Sequence, residues 1–116
     1  MDIKDFFSLQ ENFDQSHFPN FTGKGGSKEK QIQTAIYLVL GALGELGELA
    51  NVVKKALRGD HPLEYFSNDF KEEIADVFIY LIKICQTLNV DLEEAFLKKL
   101  SINEERFEMV PPPKKP

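Results

Sequence analysis

The longest helical pattern in the sequence runs from Lys28 to Leu57, and it limits the chain to folds built around a long helix. Gly59 follows this segment and is typical of a helix end. Similar spacing of apolar side chains predicts three more helices, over residues 2–17, 69–88 and 91–107. Asp91 and Glu94 occupy the N-cap and capping-box positions of the last one. No segment of any length alternates with the period of a strand, so the predicted fold class is all-α.

The segments between the predicted helices are short and rich in residues that interrupt helices. Residues 18–27 contain Pro19 and three glycines and read as a loop, and residues 60–68 read as a turn. The proline-rich end cannot continue a helix. We therefore predict one domain over residues 1–108, a four-helix bundle-like fold, followed by a flexible Pro/Lys tail at 109–116.

Composition excludes several classes of function. The net charge of −5 argues against a nucleic-acid-binding surface, because phosphate backbones require a basic face. We expect no membrane-spanning helix, since no apolar run approaches roughly 20 residues, and no secretory signal. The single cysteine, Cys85, lies in an apolar run and fits a reduced, buried thiol. These features predict a cytoplasmic protein without nucleic-acid or membrane partners.

Two carboxylates of the second helix, Glu45 and Glu48, lie one turn apart beside its predicted core stripe. That stripe consists of Ile32, Val39, Leu43, Leu46, Ala50, Val53 and Leu57. Acids on an apolar flank are costly unless a cation neutralises them. Glycines at 41, 44 and 47 each cost about 0.8–1 kcal/mol in a helix interior. They indicate close approach by a ligand or by another backbone, and tight helix packing alone explains them equally well.

The third helix repeats the acidic spacing with Glu73 and Asp76. The same stripe holds Asp69, Tyr80 and Thr87, so on its own it is also compatible with a solvated face. Apolar residues cover well over half of this helix's circumference, more than a surface helix of a small monomer buries. We therefore predict a homo-oligomer, most simply a dimer, that completes the core.

The fourth helix places Lys99, Asn103 and Arg106 within its apolar arc, while its glutamates cluster on the opposite side. The apolar arc consists of Leu92, Ala95, Phe96, Leu100 and Phe107. Inward cations require an anionic partner. That partner is either a bound anion or the inward acids of the second and third helices.

Two antiparallel helices that present Glu45, Glu48, Glu73 and Asp76 would form an all-oxygen cluster, which favours Mg²⁺ or Mn²⁺. A di-iron bundle needs Glu-x-x-His pairs, and neither histidine, His17 nor His61, follows a glutamate by three residues. Such a metal site beside inward cations can hold a polyphosphate and activate a water. No histidine or cysteine is placed as a nucleophile, so a carboxylate would orient or deprotonate that water.

Three stretches, GELGELANVVKK, EEIADVFIYL and NVDLEEAFLKKLSINEERF, resemble the MazG-like pyrophosphohydrolases over residues 30–107. The first two match the family's E-x-x-E and E-x-x-D motifs, and the third matches its Lys-x3-Asn-x2-Arg signature. The resemblance implies a MazG fold and Mg²⁺-dependent hydrolysis of a nucleoside triphosphate to the monophosphate and pyrophosphate.

The resemblance also implies roles for individual residues. The Mg²⁺ ligands and catalytic carboxylates would be Glu45, Glu48, Glu73 and Asp76, and the phosphates would contact Lys99, Asn103 and Arg106. Tyr80 matches a position near the sugar. Lys55 lies two turns beyond Glu48 and could reach the phosphates, although a solvated helix end is its simpler interpretation.

Other activities are also compatible with this sequence. They are a related phosphoribosyl-ATP pyrophosphatase, a dimeric dUTPase-type enzyme, and a catalytically silent helical interaction module. Deoxycytidine-type members carry tryptophans around the base, and this chain has none, so the preferred base is not predicted. Phenylalanines could stack on a base or serve as core and loop anchors, namely Phe6, Phe7, Phe13, Phe18 and Phe21.

Overall fold

The computed structural model describes residues 1–19, 26–59 and 63–109, and four helices account for nearly all of them. They are α1 (Ile3–His17), α2 (Lys28–Arg58), α3 (Leu63–Leu88) and α4 (Leu92–Met109). No strand occurs within these three ranges. The all-α prediction is confirmed. Most of the predicted loop, with Phe21, the segment that holds His61, and the tail from residue 110 lie outside the described residues.

Local signals in the sequence explain where the helices begin and end. The Asp2 side chain accepts hydrogen bonds from the first turn of α1, and Asp5 reciprocates, which completes a capping box. Gly59 ends α2 with a left-handed backbone at φ 79°. Asp91 accepts a hydrogen bond from the backbone N–H of Glu94 over 3.1 Å. The predicted caps at Gly59 and Asp91 are therefore confirmed.

Two boundaries differ from the prediction by more than one residue. α3 begins at Leu63 rather than near residue 69, because residues 63–68 contain no glycine or proline to interrupt the helix. α4 continues past Phe107 to Met109. α3 ends at Leu88 as predicted, and Asn89 follows it with a left-handed φ of 56°.

α2 and α3 pack against each other along most of their length, and α1 packs on α3. The rings of Phe6 and Phe78 meet edge to face at 5.7 Å, and Gln86 Nε2 donates to the Phe7 carbonyl over 2.9 Å. These contacts attach α1 to α3. α4 makes only marginal contact with the other helices over the described residues. The buried apolar core is correspondingly small, consisting of Ala35, Leu38, Ala42, Ile82 and Cys85.

The predicted core stripe of α2 does not face the core of its own chain. Its large side chains are between 42% and 86% exposed, namely Ile32, Val39, Leu43, Leu46, Val53 and Leu57. The buried face of α2 instead contains Ala35, Leu38 and Ala42. Its small residues let the two helices approach closely, so the face with the larger apolar side chains is left open.

α2 also meets the criterion of length and composition for a membrane-crossing helix, with a mean hydropathy of 1.5 over its most apolar window. The prediction of no membrane-spanning helix rested on the lack of an uninterrupted apolar run, and it stays a prediction. A core helix of a soluble protein passes the same test, so a single such helix is weak evidence for a membrane span.

Candidate metal centre

Three carboxylates meet where α2 and α3 pack side by side. One oxygen from each of Glu45, Glu73 and Asp76 lies within 4.8 Å of the others. Glu73 and Asp76 are three residues apart and so share one face of α3. Glu45 lies on the face of α2 that packs on α3, one turn beyond Gly41 and Ala42, and is half-buried. Three of the four predicted ligands are thus brought together.

Glu73 is the most constrained member of this three-carboxylate cluster. Its Oε2 is buried and has no hydrogen-bond partner in the described part of the chain. Desolvation raises the pKa of Glu73, and the hydrogen bond and charge of Glu45 raise it further, followed by the charges of Asp76 and Glu48. A divalent cation bound between the carboxylates would favour their ionised forms and so oppose this rise in pKa. An all-carboxylate donor set with an unpaired oxygen therefore fits a hard cation such as Mg²⁺ or Mn²⁺.

Glu48 lies outside the cluster, so the predicted four-carboxylate site is three carboxylates with a fourth beside them. The Glu48 side chain is exposed. Its charge still contributes to the raised pKa of Glu73, so it remains electrostatically part of the site.

The Tyr80 ring lies one turn beyond Asp76 and packs directly on Gly41 of α2. A Cβ atom at position 41 would lie 2.8 Å from Tyr80 Cζ and 3.1 Å from Cδ1. Close approach is found at Gly41, but the approaching group is an aromatic side chain of the neighbouring helix and not the ligand or backbone that was predicted. At Gly44 and Gly47 an added Cβ meets no described atom within 4 Å, so this structure gives no packing reason for those two glycines.

An ion pair beyond Tyr80 was not predicted from the sequence. Lys83 Nζ lies 3.4 Å from Asp14 Oδ1 of α1, with the two side chains 25% and 15% exposed. The same ammonium lies 5.8 Å from the centre of the Phe18 ring and 5.9 Å from that of Tyr80. Helical spacing places Lys83 on the stripe of Asp76 and Tyr80, but no pattern in the sequence relates it to Asp14 of α1.

The basic residues of α4 do not reach the carboxylates of their own chain. Lys99 and Arg106 are exposed and Asn103 is half-buried. The apolar part of the same arc is also open, since Phe96 and Phe107 are both largely exposed. The prediction that this arc faces the core is wrong for a single chain, because α4 makes only marginal contact with the other helices. Lys55 is exposed too, as expected of a solvated helix end.

Sequence comparisons give a consistent picture. A profile of the MazG nucleotide pyrophosphohydrolase domain matches residues 33–109, a range that contains the carboxylate cluster and α4. Human dCTP pyrophosphatase 1 is 35% identical over 74 residues, which is 60% of this chain and 44% of the human protein. The mouse protein of the same name is 32% identical over the same shares. Gene 37 protein of Mycobacterium phage L5 is 33% identical over 72 residues, 60% of this chain and 63% of the phage protein. The match thus spans less than two thirds of the length of each relative.

Proposed function

The chain belongs to the MazG nucleotide pyrophosphohydrolase family, and we propose that it hydrolyses nucleoside triphosphates, NTP or dNTP, to the monophosphate and pyrophosphate. The reaction depends on Mg²⁺, for which Mn²⁺ can substitute. The observation that carries the proposal is the meeting of Glu45, Glu73 and Asp76 around a buried, unpaired carboxylate oxygen. The names of the mammalian relatives, dCTP pyrophosphatase 1, support a nucleotide substrate.

Each carboxylate has a part in this proposal. Glu45, Glu73 and Asp76 hold the cation, which when bound polarises the phosphoryl group and lowers the pKa of a water. Glu48 is exposed beside the cluster. From that position it completes the ligand set or accepts the proton of the attacking water. Cleavage is assigned to the bond between the α- and β-phosphates.

The proposal includes a homo-oligomer, most simply a dimer. The open α2 stripe and an apolar groove beside it would be covered by a second copy of the chain. That groove is lined by Ile32, Ala35, Ile36, Val39, Leu40 and Leu88. α4 makes only marginal contact with its own chain. We therefore assign Lys99, Asn103 and Arg106 to the phosphates of a substrate held by the partner's carboxylates.

Activity is tested with a panel of NTPs and dNTPs, including dUTP and phosphoribosyl-ATP, by measuring pyrophosphate release with Mg²⁺ and with Mn²⁺. Glu73→Gln and Asp76→Asn should each lower turnover by at least about 100-fold, the usual scale for loss of a group that acts in the transition state. Glu72→Gln is the matched control, because this neighbouring acid is exposed and lies outside the cluster. Absence of pyrophosphate from every nucleotide would refute the enzymatic proposal and favour a silent interaction module.

The assignment of α4 to the partner's site is tested by co-expressing two inactive chains. A Glu73→Gln chain retains the cations of α4, and a Lys99→Ala/Arg106→Ala chain retains the carboxylates. If the cations act across the interface, the mixed dimer contains one intact site and recovers activity. Glu73→Gln mixed with Asp76→Asn is the control, because no intact carboxylate cluster can form. Equal inactivity of both mixtures would contradict the assignment.

A further inference from the structure

The α3 stripe that carries Glu73 and Asp76 continues through Tyr80 to Lys83, and the metal centre does not use this lysine. Lys83 Nζ is held by Asp14 at 3.4 Å and lies close to two aromatic rings, those of Phe18 and Tyr80. A cation, a carboxylate and two rings at one end of the stripe form a group with its own binding chemistry. We call this set the Lys83–Asp14 group.

The position of this group relative to the carboxylates suits the two ends of a nucleotide. Seven residues separate Asp76 from Lys83, which is about 10 Å along the helix at about 1.5 Å per residue. An extended nucleotide separates its phosphates from the edge of its base by a comparable length. Phosphates held at the carboxylates would thus allow a base to reach Lys83.

The chemistry along the stripe favours this direction for the nucleoside. In the opposite direction from Glu73, the next stripe residue is Asp69, which adds negative charge. Towards Lys83, the stripe offers the Tyr80 ring and then the Phe18 ring. Aromatic rings stack on bases, whereas an additional carboxylate offers a base no such surface.

On the basis of the proposed function, we propose that Lys83 and Asp14 recognise the edge of the substrate's base and select bases that carry a ring carbonyl. The lysine ammonium has three N–H donors and the aspartate is an acceptor only. A ring carbonyl oxygen of uracil, thymine or guanine accepts from Lys83, and the adjacent ring N–H donates to Asp14. In cytosine the O2 carbonyl accepts, and the exocyclic N4 amine on the same edge donates. Adenine offers the lysine only a ring nitrogen, which is a weaker acceptor for a cation than a carbonyl oxygen.

A purely structural role would be to attach α1 to α3. That attachment is already made by the hydrogen bond from Gln86 to the Phe7 carbonyl and by the contact of Phe6 with Phe78. A half-buried ion pair adds little to stability beyond such contacts, because desolvation offsets much of its attraction. If the ion pair served only to attach α1 to α3, its removal would not change which base is preferred. Base preference is therefore the measurement that distinguishes the two roles.

The test compares kcat/KM for dCTP, dUTP, dGTP and dATP between the wild type and Lys83→Met, which keeps the length of the side chain and removes its charge. Loss of a charge-assisted hydrogen bond should lower kcat/KM about tenfold or more for the three carbonyl-bearing nucleotides. The value for dATP should change far less. Lys83→Arg retains a cation and should retain the preference, and Lys4→Met, an exposed lysine of α1, should change nothing.

The same comparison can be made without turnover. It measures the binding of nucleotide analogues in which nitrogen replaces the oxygen that bridges the α- and β-phosphates. A uniform loss across all four bases, or no change, in Lys83→Met would overturn this inference and leave the proposed function intact. If the wild type neither hydrolyses nor binds any nucleotide, both proposals are refuted together. Thermal unfolding of each variant confirms that the comparison is made between folded proteins, and Asp14→Asn provides a second variant of the pair with the same expected loss of preference.

Discussion

Replacement of Gly41 by alanine gives the most direct test of how α2 and α3 pack beside the carboxylates. The new Cβ would lie 2.8 Å from Tyr80 Cζ and 3.1 Å from Cδ1. Ordinary carbon–carbon contacts are about 3.5–4.0 Å, so the ring or the helix must move by roughly 1 Å. The same substitution at Gly44 meets no described atom within 4 Å.

Two opposing effects set the magnitude. Overpacking costs about 1–3 kcal/mol, and alanine stabilises a helix interior by about 0.8–1 kcal/mol relative to glycine. Gly41→Ala should therefore lower the free energy of unfolding by about 0–2 kcal/mol. Gly44→Ala keeps the gain in helix stability without the overpacking. It should therefore unfold at a higher temperature than wild type, by about 4 °C for each kcal/mol gained.

Thermal or urea unfolding at one fixed protein concentration measures both variants, since the stability of an oligomer depends on concentration. The decisive comparison repeats Gly41→Ala in a Tyr80→Ala background, which removes the ring. There the substitution should become stabilising by about 0.8–1 kcal/mol. An equal cost with and without the ring would refute the contact between Gly41 and Tyr80 as its cause.

Two further predictions concern the carboxylates. In metal-free protein the folded state holds the proton of Glu73 more tightly than the unfolded state, because the folded pKa is raised from 4.5. The stabilisation from the protonated Glu73 is therefore present below pH 4.5 and is lost as the pH rises through the folded pKa. Urea unfolding at a series of pH values should show the wild type losing stability over this range relative to Glu73→Gln, which does not titrate. Mg²⁺ at 100 times its dissociation constant should stabilise the wild type by about 2.7 kcal/mol. Calorimetry should show little or no such gain for Asp76→Asn, and an equal gain would contradict the ligand assignment.

The fold was predictable from sequence where local signals decide it, and less so where packing between helices decides it. Gly59 and Asp91 fix helix ends through their own backbone and side chain, so both were predicted correctly. The buried face of α2 was not, because the apolar pattern of the sequence favours the stripe with the larger side chains. α3 packs instead against the small residues Ala35 and Ala42, where the backbones can come close.

The residues of the site also differ in how far the sequence predicts them. Glu45 was predictable from its position on an apolar flank of a helix, whereas the prediction of Glu73 and Asp76 depended on the resemblance to the MazG-like family. The pairing of Asp14 with Lys83 was not predictable, since the partners lie on α1 and α3 and no periodicity relates them. α4 shows a third case, because its apolar arc was predicted to face the core and is open in the single chain.

Two features raise the free energy of the isolated folded chain. Binding of a cation would relieve one of them, and binding of a second copy would relieve the other. Burial and the repulsion between the carboxylates raise the pKa of Glu73, and a bound divalent cation would oppose this rise. The large side chains of the α2 stripe remain in water, and a second copy would bury them. Among the described residues only five apolar side chains are fully buried, which is a small core. The proposed cation and the proposed second copy would therefore each favour the folded state by mass action, and their effects would be linked if α4 of one copy completes the site of the other.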